Sequence, residues 1–189
     1  MVKKKGANKF EDFRRKAIVQ PEIIEITVTS LIEGLSNYVT SLKSDIEIIA
    51  KECDIPWNST NTDETLELLF NVCLFFMPNA FEKTFNNKDV SDMYLNFLFS
   101  YLKDRMDLFK YFNEIYNEHD MNQITFFPFL LAINNRAYFE QICIKSRKTN
   151  EISVRAISFI HDFTGAFCRN NPFVEGLLGD FIARESLKQ

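Results

Sequence analysis

A single all-α domain, a bundle of about seven or eight helices behind a basic N-terminal arm, is the fold this sequence predicts, on three observations. Apolar residues recur every three or four positions along nearly the whole chain, the spacing of one face of a helix. Gly and Pro number only five each among 189 residues, so turns are scarce and elements should be long. Alternating β-branched residues occur only around Ile26 to Thr29, inside a longer helical period. The length suits one domain, and 46% hydrophobic with 25% charged residues excludes collagen-like and wholly disordered chains. The expected division is a flexible basic arm over residues 1–7 and one all-α domain over residues 8–189.

The elements follow in order. Pro21 suits a first helical turn, and Ile24, Val28, Leu31, Leu35, Tyr38, Leu42, Ile46, Ile49 and Cys53 then repeat at intervals of four or three. This pattern predicts one amphipathic helix from Pro21 to about Asp54, with a bend near Gly34. Residues 56–62 read as a loop, and Asn61 followed by Glu64 as a helix start. A short apolar helix then runs to Met77, where Pro78 is expected to stop it. From Asp89 to about Glu118 the pattern is again helical and apolar nearly all round, which predicts a helix at the centre of the bundle. Further helices are expected at roughly 123–134, 136–147, 151–169 and 172–187. The pair Asn171 and Pro172, a cap followed by a first-turn proline, makes the last boundary the sharpest.

Charge is unevenly spread. Residues 1–20 hold seven Lys or Arg and two Asp or Glu, a net +5, whereas residues 21–125 hold seven and eighteen, a net −11. Residues 126–169 return to +3 and residues 170–189 to −1. Such a chain can pair its basic arm and basic C-terminal third head to tail with its own acidic region, or set them against a polyanion. No apolar stretch approaches the ~18–20 residues needed to span a bilayer. Lys3, Lys4 and Lys5 are followed by charged residues where a signal peptide needs an apolar run. The four cysteines are far apart without a C-x-x-C pair, so reduced core thiols are expected. Together these point to a cytoplasmic, reducing location or the interior of a viral particle. The heavy use of Phe, Ile, Asn and Lys fits an A/T-rich genome, such as that of a phage or virus.

Motifs that carry chemistry are few. There is no P-loop, no G-x-G-x-x-G and no G-x-S-x-G elbow, and Gly176 and Gly179 lie in a helical pattern where they would admit another helix. Two histidines without H-E-x-x-H spacing give no metal site: His119 reads as a helix-end histidine, and neither a metal nor a cofactor is expected. Arg155-Ala-Ile-Ser-Phe-Ile-His161 is the one enzymatic candidate. It resembles the R-x(4–6)-H signature of HEPN-type ribonucleases, which are small all-α proteins often built as dimers, although Ala156 stands where that family commonly has a polar residue. The resemblance implies a composite site in which His161 is general acid/base and Arg155 steadies the phosphate during attack of an RNA 2′-hydroxyl. On an uninterrupted helix, however, six residues at ~100° each set the two side chains about 120° apart, so they are not expected to converge.

Nucleic-acid contact is expected instead from clustered cations: Lys3, Lys4, Lys5, Lys9, Arg14, Arg15 and Lys16 at the N-terminus, then Arg136, Lys145, Arg147 and Lys148, with Arg155 and Arg169 beyond them. Tyr138 and Phe139 could stack on unpaired bases. The reading that follows is a non-enzymatic helical assembly or adaptor protein that associates with itself as a homo-oligomer. RNA or DNA is an expected further partner, as in a structural protein of a virus or mobile element. The alternatives are the metal-independent ribonuclease using Arg155 and His161, and a bundle that binds a partner protein in an apolar groove.

Overall fold

The computed structural model describes residues 3–52, 59–118 and 147–187. Among these residues the chain is helical, without a strand. Helix α1 spans Lys3–Ala17, α2 Pro21–Ser41, α3 Lys43–Glu52 and α4 Ser59–Thr84. After these come α5 at Lys88–Tyr101, a 3₁₀ turn at Lys103–Arg105, α6 at Met106–Glu118, α7 at Arg147–Arg169 and α8 at Pro172–Ser186. The helices expected over 123–134 and 136–147 lie outside the described residues, apart from residue 147, and with them the expected total of seven or eight.

Four expectations are corrected. The helix from Pro21 divides at Leu42, whose N–H returns to the Val39 carbonyl at 3.0 Å while its own carbonyl starts α3 by accepting from Ile46 N at 3.0 Å. Just before the break, Thr40 Oγ1 donates to the Ser36 carbonyl at 2.9 Å and Ser41 Oγ to the Tyr38 carbonyl at 2.6 Å. Hydroxyls bonded back onto helix carbonyls compete with the backbone ladder and bend or end it. The apolar stripe still continues across the break, with Leu35, Val39, Leu42 and Ile46 all buried.

Pro78 does not stop its helix; α4 runs through it to Thr84. Proline removes one backbone donor and crowds the preceding turn. The turn after it carries Ala80 and Phe81, both fully buried, so tertiary packing holds the helix past the proline. The long pattern from Asp89 to Glu118 is likewise broken, at Leu102. Here Leu102 N bonds to the Leu98 carbonyl at 2.9 Å and Arg105 N to the Leu102 carbonyl at 2.8 Å, which tightens the chain into a 3₁₀ turn. Nor is α5 central. It buries Ser91, Tyr94 and Leu98 against α2 and α4, while Met93, Phe99 and Tyr101 are exposed. The central element is α4, packed against α2, α3, α5 and α7.

The fourth correction concerns the N-terminus. From Lys3 onward the expected arm is part of helix α1. Its Phe10, Phe13 and Ala17 are spaced as one helical stripe, and no proline interrupts the chain before Pro21. Phe13 stacks on Phe181 of α8 with centroids 4.6 Å apart, and Phe10 meets the same ring edge-on at 6.5 Å. Ala17, Ile23 and Val174 form a small buried cluster there, separate from the main core.

Along α7 an i, i+4 aromatic spine explains how that helix seats against α2. Tyr38 stacks on Phe159 at 3.8 Å, Phe159 on Phe163 at 5.0 Å, and Phe163 leans on Phe167 at 5.9 Å. Gly34 lies directly beneath this spine: a Cβ built on it would fall 2.5 Å from Phe163 Cζ. Gly176 and Gly179 on α8 are the opposite case: among the described residues no atom lies within 4 Å of an added Cβ, so neither serves close packing there. Alanine at Gly34 is therefore expected to force the aromatic spine aside and cancel or reverse its helix-propensity gain. Alanine at Gly176 or Gly179 should raise stability by about 0.5–1 kcal/mol each. Chemical denaturation of the three variants checks this, and equal effects at all three would contradict the close α2–α7 contact.

Candidate functional site

The Arg155/His161 pair is placed by α7, which is one continuous helix from Arg147 to Arg169, so the angular offset between the two residues stands. Arg155 is exposed and its Nη1 donates to Asp45 Oδ2 of α3 at 3.2 Å. His161 lies on another side of the helix. Its ring is partly buried, neither Nδ1 nor Nε2 has solvent access, and neither has a hydrogen-bond partner among the described residues. Burial holds the imidazole below its ordinary value of 6.5, helped by the positive charge of Lys83 on α4 and opposed by Asp162. The structure thus does not bring Arg155 and His161 to one phosphate. An imidazole with both nitrogens enclosed has no route to exchange a proton with a bound substrate.

The same enclosure has a consequence for pH. The folded protein resists protonating His161, whereas the unfolded chain accepts the proton near 6.5. The stability due to the neutral ring is complete above that value and declines as pH falls through it toward the lower folded value. His161→Leu should flatten this part of the profile. It should also leave stability at pH 7 equal or higher, since it removes two unpaired buried polar atoms. Denaturation of both proteins between pH 7 and 5 checks this, and an unchanged slope in the variant would show that the ring titrates freely.

The basic residues separate into distinct groups. Lys3, Lys4 and Lys5 form the first turn of α1. Lys9 is paired with Glu185, and Arg14 makes a two-pronged contact with Glu175: Nε to Oε1 at 2.9 Å and Nη2 to Oε2 at 3.1 Å. Arg14 Nη1 also reaches Glu11 at 3.1 Å, and these carboxylates hold the guanidinium above its ordinary value, the Glu175 hydrogen bond most strongly. Arg15 and Lys16 are exposed, with no ion pair among the described residues. Arg147 and Lys148 lie in the first turn of α7, and Arg169, which is exposed, closes it. Arg136, Lys145, Tyr138, Phe139 and His119 lie outside the described residues.

The charge pattern is thus satisfied in part within the chain. Arg155 of the basic segment meets Asp45 of the acidic middle, as one reading of the sequence allows. The N-terminal cations instead meet Glu175 and Glu185 of the last helix. Sequence reasoning missed these two glutamates, because they lie more than 160 residues from their partners and only the packing of α1 on α8 pairs them.

Two further features complete the surface. A groove of about 660 Å³ opens between the α1–α2 and α4–α5 junctions, lined by Ile18, Val19, Phe85, Val90 and Met93, with Arg15, Asn86, Asn87 and Asp89 among its polar walls. Along α5 and α6, Met93, Phe99, Tyr101, Met106 and Tyr111 are each between 40% and 56% exposed. Among the described residues, His, Cys, Asp and Glu nowhere gather in threes as a metal ion would need. Burial pushes the Cys73 and Cys168 thiols up to about 12, far from the thiolate that nucleophilic or metal chemistry requires. No helix among the described residues is long and apolar enough to cross a membrane. Compared with known proteins, the chain matches no family model, no curated protein and no solved structure.

Proposed function

We propose that this chain is a non-enzymatic helical assembly or adaptor protein that associates with copies of itself and contacts nucleic acid through the cations of α1 and the basic segment leading into α7. One observation carries the reading: five large apolar side chains stay exposed along two consecutive helices, α5 and α6, although both helices also bury residues in the main core. Such surface is what protein interfaces use, with aromatic residues and methionine enriched in their centres. The exposed cations Arg15 and Lys16 support the nucleic-acid half. The class that fits best is a structural subunit of a virus or mobile element.

Size-exclusion chromatography with light scattering, read together with absorbance at 260 nm, tests both halves. A dimer or larger species is expected, dissociating when Tyr101 and Met106 are replaced by Ser. A wild-type monomer free of nucleic acid would overturn the reading and favour a partner protein seated in the groove beside Val90 and Met93. Rigorously purified protein should leave single-stranded RNA intact without metal. Cleavage lost in both Arg155→Ala and His161→Ala would put the ribonuclease first.

A further inference from the structure

Two of the cations that made the N-terminus look like a polyanion site, Lys9 and Arg14, do not stand free. Arg14 presents one edge of its guanidinium to both carboxylate oxygens of Glu175 and another nitrogen to Glu11, and Lys9 is held by Glu185. A phosphate asks for the same two-pronged contact from the same edge, so Glu175 and a phosphate exclude each other on Arg14.

We infer that α8 acts as an internal polyanion mimic: Glu175 and Glu185 hold the cations of α1 in reserve, and a nucleic-acid strand binds by displacing them. This rests on the nucleic-acid half of the function proposed above. Three observations support it. First, the pairs are solvent-exposed, with side-chain exposures of 41% and 44% for Arg14 and Glu175, and exposed pairs are weak and salt-screened, so exchange is inexpensive. Second, α1 packs chiefly on α8, and the seam meets the main core at Ile18, just past the end of α1, so the helix before it can shift without opening the bundle. Third, Arg15 and Lys16 remain exposed on the same helix beside the reserved cations, where they can capture a strand before the exchange.

Binding of a fluorescein-labelled oligothymidylate, followed by anisotropy across a salt series, tests the inference on the full chain. Glu175→Gln/Glu185→Gln should bind about tenfold more tightly than wild type. This advantage should be largest at low salt and shrink as salt rises, because salt weakens the exposed pairs that wild type must first break. Glu114→Gln/Glu82→Gln makes the same change in net charge at two exposed carboxylates on α6 and α4, away from the seam, and should bind like wild type. Equal tightening by this control would reduce the effect to net charge and overturn the inference. So would wild type and the seam variant binding alike, an outcome in which nucleic-acid binding itself survives. If neither binds, the functional reading and the inference fall together.

Discussion

Replacing Leu42 by Asp should abolish cooperative unfolding. Leu42 is only 1% exposed although it sits at the break between two helices, and it belongs to the same buried cluster as Val39 and Ile46. Truncating a buried leucine costs about 2–5 kcal/mol by itself. An unpaired carboxylate in its place adds several kcal/mol more, or forces the group to stay protonated. Against a total stability of about 5–15 kcal/mol for a domain, that sum removes most or all of the margin. Circular dichroism on heating reads the result, and a variant that melts like its parent would show that the stripe running through α2 and α3 is not buried.

Asn171→Ala should have the next largest effect, a loss of about 2–4 kcal/mol. Asn171 is 2% exposed and satisfies two structures at once. Its Oδ1 accepts from Phe173 N at 3.0 Å and Val174 N at 3.3 Å, capping α8, while its Nδ2 donates to Thr27 Oγ1 of α2 at 2.7 Å. Alanine frees two backbone donors at the start of α8 and leaves the Thr27 hydroxyl without this partner inside the protein. Beside it, Tyr94 Oη donates to the Ile18 carbonyl at 3.0 Å, so the site ties together α5, the α1–α2 junction and the α7–α8 corner. Asn171→Ser keeps a capping oxygen but has no amide to reach Thr27, and should recover roughly 1 kcal/mol of the loss. At about 2–4 °C per kcal/mol for a chain of this size, the alanine variant should melt roughly 4–16 °C below the parent. A melting point within 1 °C or so of the parent would show that neither bond matters.

How well each boundary could be read depended on whether its cause was local. The starts at Pro21 and at Asn171–Pro172 rest on the fixed φ of proline and on a side chain that reaches its own backbone, and both were legible. The breaks at Leu42 and Leu102 were not, because the apolar period runs straight through both and each residue remains buried. At Pro78 a strong local signal pointed the wrong way, since the packing of Ala80 and Phe81 outweighs one missing hydrogen bond. For the candidate site, the 120° offset of Arg155 and His161 followed from helix geometry and held. The enclosure of both His161 nitrogens depends on elements elsewhere in the chain, and no spacing reveals it.

By itself, then, the sequence determined the helical class, the stripe from Ile24 to Ile46 and the first turns built on proline. Each of these depends on interactions within one or two turns of the chain. Only the tertiary structure decided that α4 rather than α5 lies at the centre, that residues 3–7 extend a helix, and that the charges on Lys9 and Arg14 are answered by Glu185 and Glu175. Hydrophobic burial is non-directional and long-range in sequence, so the same apolar pattern on α5 serves equally well buried or as an exposed face. Which of these it becomes is set by the other helices that compete for the core.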